Sequence, residues 1–499
     1  NAFCASQRWL LALVLGLLFV AGIPYGASAQ TTTVERLVSD DPQDGGRFGI
    51  SVDLDATASE FMVGAYKEGV ASPSFRRGRA YIYGTSVTGP PFLRATLIPP
   101  GSITEASSQW GRSVAIGTST ISTSYFVGTP RDNDTSNSTE NTGSWSRFEL
   151  TSGTYSRIRT FEIGGFTTSR FFGFSLDLDS NTLAASTILN NENIGYNDGR
   201  VYIRELTGLT TGSNEAIIDS PNPQKDAQFG RGLALDDGNN RLLVTAPRYD
   251  TGGLTNRGDA YAFTRDPATS TWSQEQQLVP TGLTDGAQYG IAAALAGNLA
   301  FISASAQDAG ATSDAGAVYV WTRDPASGTW TNTQTLTAAT PETGSIYGFD
   351  LSYDATTGIL YVGAPREDVA SPTALTDAGA VYAYQQDGGG IWQQTLRFAS
   401  TNPQADALFG AALSAGGDQL VASAYNENIP DGSGGTLTNA GAVYVYQTVS
   451  ALPVELADFD ARLDGTTAYV QWRTLSETNN AGFHVEHRLP GTSTFAGVG

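Results

Sequence analysis

The sequence predicts an all-β chain built round a seven-bladed β-propeller, and three observations carry that expectation. An aromatic-Gly pair recurs at Phe48-Gly49, Trp110-Gly111, Phe172-Gly173, Phe229-Gly230, Tyr289-Gly290, Tyr347-Gly348 and Phe409-Gly410, at spacings of 57 to 62 residues. Seven copies at one period mark a repeat architecture. Each copy holds four short runs rich in Val, Tyr, Phe and Ala, parted by Gly, Asp and Asn, which read as strands and turns. Stretches with helical period and caps are missing from the repeats. Four-stranded units arranged radially make a propeller, and seven copies fall within its usual range of blades.

Within a copy the elements follow one order. The aromatic-Gly pair opens a short apolar run such as Ile50-Ser51-Val52 or Leu233-Ala234-Leu235, followed by a polar turn. A second run ends in small residues: Val63-Gly64-Ala65, Val127-Gly128-Thr129, Val244-Thr245-Ala246, Ile302-Ser303-Ala304, Val362-Gly363-Ala364 and Val421-Ala422-Ser423. The third copy, Ala184-Ala185-Ser186, is the most degenerate. A loop rich in Asp, Asn and Gly then leads to a Gly-started aromatic strand, at residues 78–83, 199–203, 258–263, 316–321, 379–384 and 441–446. A last short strand follows in several copies, beginning near Trp272, Trp330 and Ile391. Glycine at these places lets backbones approach closely where a propeller is crowded. The seventh copy stops at Tyr446 without its last strand, while residues 34–41 stand unassigned before the first aromatic-Gly pair. That N-terminal segment is expected to complete the last blade and so remove two sheet edges.

The propeller is thus expected over residues 30–446. Residues 1–29 read as a secretory signal peptide: Arg8, an apolar stretch from Trp9 to Ile23, then Ala27-Ser28-Ala29 as a small-residue cleavage site. The stretch is short for a membrane anchor and ends at Pro24. No other apolar segment is long enough to span a bilayer, so the mature chain is expected to be exported and free of a membrane span. Cys4 would leave with the signal. A first residue that is Asn rather than Met, and an end that breaks off in mid-pattern, read as a fragment.

Composition excludes several functions. With 28 basic against 49 acidic residues and a formal charge of −21, the surface would repel nucleic acid. One Cys forms no internal disulfide and no zinc ribbon. Both histidines, His484 and His487, lie in the last sixteen residues, so the repeats must work without imidazole. The basic residues are 26 arginines and only two lysines, Lys67 and Lys225. Many carboxylates with almost no lysine suit a halophile's salt-adapted surface, because high ionic strength screens self-repulsion. An ordinary acidic secreted protein shares the same composition.

The repeats resemble the FG-GAP family, the β-propeller repeats of integrin α subunits, and especially its bacterial secreted variants. Phe-Gly at 48, 172, 229 and 409 supplies half of the name, and Gly363-Ala364-Pro365 spells the other. The resemblance implies a propeller used for adhesion or ligand binding, usually without catalysis. It also implies a place to look for calcium, since many integrin repeats carry an Asp-rich loop between the two motifs. Here the corresponding turns offer Asp53, Asp55, Asp177, Asp179, Asn181 and Asp236. A hard cation wants six to eight oxygens and a Gly for the bend, and none of the seven turns supplies the full set. Turn formation is the competing role for these residues. No cofactor is expected otherwise.

A second acidic cluster follows the small-residue motif and supplies candidates for a ligand-binding face: Asp132, Asp134, Asn191, Glu192, Asp250, Asp308, Glu367, Asp368 and Glu427. Their recurrence from copy to copy suits a structural or solvating role, yet the loops should gather on one face, where carboxylates and amides could grip a sugar, a protein or ions. Arg257-Gly258-Asp259 falls where other copies start their aromatic strand, so the repeat explains its Gly. The second copy is the most atypical, with Trp145 and Arg147 near Asp132 and Asp134. Asn133 and Asn137 head N-glycosylation tripeptides, which carry little meaning in a bacterial host.

Beyond a linker at 447–453, residues 454–499 resemble the fibronectin-like segment that precedes type IX secretion sorting signals. The matching residues are Leu452-Pro453-Val454-Glu455-Leu456, Trp472, Ser476-Glu477, Asn479-Asn480 and Gly482-Phe483. The resemblance implies a truncated β-sandwich of fibronectin type III kind. Its two histidines are three residues apart, which on one strand puts them on opposite faces.

Three functions remain in play. The first is an exported, non-catalytic binding or adhesion module for a surface protein or glycan. The second is a carbohydrate-active lyase or glycosidase, which should break the repeat with one singular acid–base cluster, and no such cluster stands out. The third is a structural calcium-binding cell-surface protein. The first is the reading adopted, and the chain is not expected to be an enzyme.

Overall fold

The computed structural model describes residues 32–448, apart from 70–76, 86–88, 101–107, 119–121, 133–141, 163–169, 190–197, 207–214 and 371–373, together with 456–464, 467–474, 486–487 and 496–497. Two compact units are present, Val34–Tyr446 and the remainder. The first is a seven-bladed propeller. Six blades each hold four consecutive antiparallel strands, and run from Ser51, Ser113, Leu176, Leu233, Tyr289 and Leu351 to Leu97, Glu162, Asp219, Gln277, Leu336 and Phe398 respectively. The seventh takes three strands from Leu413–Gly416, Gln419–Ala424 and Ala442–Thr448, and its outer strand, Thr32–Leu37, from the other end of the repeats. Helix is limited to one 3-10 turn, Asp237–Asn239, among the described residues.

The first strands of neighbouring blades touch all the way round, so they line the axis. The second and third strands are almost wholly buried, because each blade packs on neighbours through both faces. This is why they lack the apolar–polar alternation of a half-exposed sheet. Between blades the cores are aromatic and aliphatic. In six blades the motif aromatic meets a Tyr of its own third strand edge-on, as Phe48 does Tyr81 at 5.3 Å and Phe409 does Tyr444 at 5.4 Å.

One backbone joint is repeated at all seven blade junctions. The aromatic N–H of one blade donates to a carbonyl just before the third-strand Gly of the preceding blade, from Phe229 to Asp198 at 2.6 Å up to Tyr347 to Ala315 at 3.2 Å. The Gly after that carbonyl sits at φ of 85–99° with its Cα pressed on the aromatic's backbone. The second copy, whose strand start carries no obvious signal in sequence, uses Gly143 for this joint. The residue preceding each aromatic is also left-handed in every blade: Arg47, Gln109, Phe171, Gln228, Gln288, Ile346 and Leu408 have φ between 48° and 61°. None is a residue that favours this conformation, and a β-branched Ile is the least suited of them. The joint over-determines the bend and holds it.

The last blade is also tied by charge. Glu427, fully buried, accepts from Tyr444 Oη at 2.6 Å, Asn402 Nδ2 at 2.7 Å and Arg36 Nε at 2.7 Å. In the sixth blade Glu367 accepts from Tyr382 Oη and from Arg397 in the same way. Arg36 on the N-terminal strand therefore does for blade seven what a fourth-strand Arg does for blade six. Removing Arg36 leaves a buried carboxylate short of its cation. With two donors remaining, Arg36→Met should cost about 2 kcal/mol, below the usual loss on breaking a buried pair. Arg157→Met on the exposed outer strand of blade two should be neutral within error in the same denaturant titration.

Beyond the propeller, Leu456–Asp464 pairs antiparallel with Thr467–Thr474, and Glu486–His487 with Ala496–Gly497. No helix among the described residues is long and apolar enough to cross a membrane.

Candidate functional site: the loop face of the propeller

Antiparallel order gathers two sets of connections on one face, those from fourth to first strand and those from second to third. The loops are stitched together before any ligand arrives. Gln43, Gln224 and Gln404, each ahead of a first strand, form two-point amide pairs with the backbone of Gly69, Asp250 and Asn428, at 2.5 to 3.1 Å. Glu342 takes the same place against the Asp368 N–H at 3.2 Å. A second stitch recurs within each loop. Asp250 accepts from the Asn256 N–H at 2.6 Å, Asp308 from Asp314 at 3.1 Å, Asp368 from Asp377 at 3.0 Å, and Asn428 from Asn439 at 2.9 Å. All four donors are left-handed Asn or Asp, two residues ahead of the joint glycine.

The sequence candidates therefore separate. Asp250, Asp308 and Asp368 occupy equivalent places in blades four, five and six, with one oxygen each tied to the loop backbone. Glu367 and Glu427 are buried within their blades as described above. Asp132 is buried and accepts from Ser144 Oγ at 2.8 Å. Asp134, Asn191 and Glu192 lie outside the described residues. A carboxylate that was not singled out, Glu68, is fully buried and bonded to Tyr81 Oη; burial pushes it up to about 8 against the pull of Tyr81, Ser39 and Arg79. Its signal was its register: Glu68, Glu367 and Glu427 each stand three residues after the Ala that ends the second strand, Ala65, Ala364 and Ala424. Asp259 is also fully buried, held by Tyr261 Oη at 2.8 Å and Gln277 Nε2 at 2.6 Å, which withdraws the Arg-Gly-Asp tripeptide from recognition. Trp145 stacks on Phe161 at 4.9 Å, and Arg147 pairs with Glu149 instead of lying on Asp132.

The turn candidates lie elsewhere, along the inner strands and on the opposite face. Asp53 accepts from the Ile116 N–H of the next blade at 2.8 Å and from Ser414 Oγ of the preceding one at 3.2 Å. Asp177 accepts from the Leu235 N–H at 2.6 Å, and Asp350 from the Leu413 N–H at 2.7 Å. These carboxylates bridge blades round the axis, and burial there raises Asp53 to about 6 and Asp177 and Asp350 to about 7. Asp179 accepts from the Asp237 N–H at 2.7 Å, Asp236 from the Gly297 N–H at 2.6 Å, and Asp55 from Thr57 at 2.8 Å. Asn181 gives its carbonyl to the Leu206 N–H at 2.7 Å. Among the described residues no group of three or more His, Cys, Asp or Glu is placed to hold a metal.

At the centre of the loop face the chemistry changes sign. The residue after each aromatic-Gly pair stands at the loop-face start of the inner strand, and in blades two, three and four these are Arg112, Phe174 and Arg231. Both guanidiniums lie over the Phe174 ring, each 5.1 Å from its centroid. Arg47 lies over Tyr425 at 5.4 Å, Lys67 over Tyr66 at 5.3 Å and Arg131 over Phe171 at 5.6 Å. Desolvation lowers Arg112, and it brings Arg231 down to about 10 with Arg112 pushing the same way and Asp350 opposing.

The repeat itself has a recognised counterpart. A family model described as FG-GAP repeat matches residues 272–321. That match identifies one FG-GAP repeat, in a propeller whose other blades share its strand order. The matched span begins on the outer strand of blade four and ends on the third strand of blade five, so the FG-GAP unit crosses a blade boundary and holds Tyr289 of one joint and Gly316 of the next. No curated protein matches the chain.

Proposed function

We propose that the chain is an exported, non-catalytic binding or adhesion protein that holds a surface protein or glycan on the loop face of its propeller. The observation that carries this reading is the pre-stitching of that face: glutamine amides clamp one loop set to the other, and Asp and Asn bonds fix each loop on itself. A surface ordered in advance loses little entropy on binding. Export follows from the leader-like residues 1–29, and the integrin-like and fibronectin-like resemblances favour a place at the cell surface. The recurring buried acids support a role without catalysis. Glu68, Glu367 and Glu427 occupy one position in three blades, each bonded to a Tyr hydroxyl, where a substrate does not reach.

The full chain probed against arrays of glycans and cell-surface proteins should retain one class of ligand without consuming it. Exchange of Gln224 for Ala should loosen the Asp250 loop and weaken retention about tenfold or less while the fold stays intact. Cleaved product formed at a rate that depends on one loop carboxylate would overturn the reading.

A further inference from the structure

Eight arginines of the propeller are neutralised. Arg36, Arg79, Arg94, Arg147, Arg200, Arg265, Arg323 and Arg397 all pair with Asp or Glu. With 49 acidic residues available, that is the expected condition. Arg112 and Arg231 depart from it. Among the described residues neither forms an ion pair, and neither guanidinium donates a hydrogen bond to protein. They share one aromatic ring, both are half-buried, and Arg112 lies close enough to Arg231 to lower its hold on the proton. Three further cations of the same face, Arg47, Lys67 and Arg131, also rest on rings and have no carboxylate among the described residues.

A ring face holds a cation in place without cancelling its charge. The aromatic contacts therefore orient these groups and leave their N–H donors free. Arg112 senses Tyr66 and Tyr425, from blades one and seven, and Arg231 senses Asp350 from blade six, so groups from most of the ring converge on the axis. Asp350 is committed to the backbone N–H groups of Leu351 and Leu413 at 3.0 and 2.7 Å. Two like charges held together in a partly dry place are costly unless a counter-charge completes them. The planar guanidinium fork fits oxyanions in particular.

We propose that the axial mouth of the loop face, between Arg112 and Arg231, is an oxyanion-binding site that takes the sulfate, phosphate or carboxylate substituent of an acidic polysaccharide. This deepens the binding reading above and rests on it. The overall negative charge of the chain does not prevent it: at about 0.15 M salt the Debye length is near 8 Å, so distant carboxylates are screened while the local guanidiniums are not.

The test compares dextran, dextran sulfate, polygalacturonate and inorganic sulfate, titrated calorimetrically into the full chain and into Arg112→Met/Arg231→Met, with circular dichroism checking that both are folded. Dextran sulfate should bind the unaltered chain, dextran should not, and the double variant should lose at least tenfold in affinity. Polygalacturonate separates carboxylate from sulfate recognition. Inorganic sulfate alone saturating the site, and competing with dextran sulfate, would assign the affinity to the free anion and overturn the polysaccharide source. Equal binding of dextran sulfate by both proteins, or by neither, overturns the anion site. In that event a neutral array ligand retained by both proteins leaves the loop face a binding surface, whereas no retained ligand of any kind removes both readings. A single Arg112→Lys variant, keeping charge without the fork, should recover only part of the affinity.

Discussion

Gly379→Ala should destabilise the propeller by about 4 kcal/mol, whereas Gly344→Ala should cost about 1 kcal/mol, although both glycines have positive φ. The two share the strain that a side chain meets at φ of 89° and 78°. They differ in what a Cβ would touch. At Gly344 nothing lies within 4 Å, so the cost is conformational only. At Gly379 the new carbon would stand 2.2 Å from the Phe409 carbonyl oxygen and 2.4 Å from its nitrogen. Both obstacles are backbone, in the joint between blades six and seven, so no side chain can yield and the blades must part. Because this joint also holds the Phe409–Tyr444 contact, the loss reaches packing as well as hydrogen bonding. A drop in Tm of roughly 5 °C is the expected size for a unit this large. Thermal melts of the two variants, side by side, measure the difference, and equal costs would show that the joint is not what the glycine serves.

The second large effect is in pH. The raised carboxyls Asp53, Asp177, Asp350 and Glu68, near 6, 7, 7 and 8, all owe their shift first to burial. Each has a higher value folded than its ordinary 3.8 or 4.5, so the native state holds protons more tightly than the unfolded chain. Their contribution is complete below the ordinary values and is lost as pH rises through 6 to 8. Four exposed turn carboxyls act in the opposite window. Asp266, Asp324, Asp387 and Asp431 are held below 3.8 mainly by backbone N–H donors, so what they add is present above that value and lost in stronger acid. The propeller should therefore be most stable at mildly acid pH and lose several degrees of Tm between about pH 5 and pH 9. Asp177→Asn, which keeps an acceptor for the Leu235 N–H, should flatten that slope. A Tm that rises steadily with pH in the unaltered protein would refute the assignment.

What could be read from the chain, and what could not, follows from the physics of each position. The aromatic-Gly pairs were legible because the blade joint demands the same two residue types every time. The left-handed residue before each pair was not, since Arg, Gln, Phe, Ile and Leu carry no preference for it and the surrounding bonds impose it. Loop Asp and Asn announced themselves as candidates for ligand contact, but recurrence has a second source: Asp250, Asp308 and Asp368 each close a loop on its own backbone. Glu367 and Glu427 read as surface acids because their Tyr partners stand fifteen and seventeen residues away. The axial arginines escaped for the opposite reason. A search for what repeats discards Arg112 and Arg231, which stand where other blades have Ile, Phe or Ala, and it is at such departures that a symmetric scaffold acquires a distinct site.

The pairing of Thr32–Leu37 with Ala442–Thr448 also has a mechanical meaning. A pull applied between the two ends of the repeats would load one strand pair in one sheet, while the other six blades carried no tension. For a protein holding a partner at a surface, that pair, with Arg36 clasping Glu427, is the fuse: it sets the force at which the ring opens and lets the remaining blades keep their structure until it does.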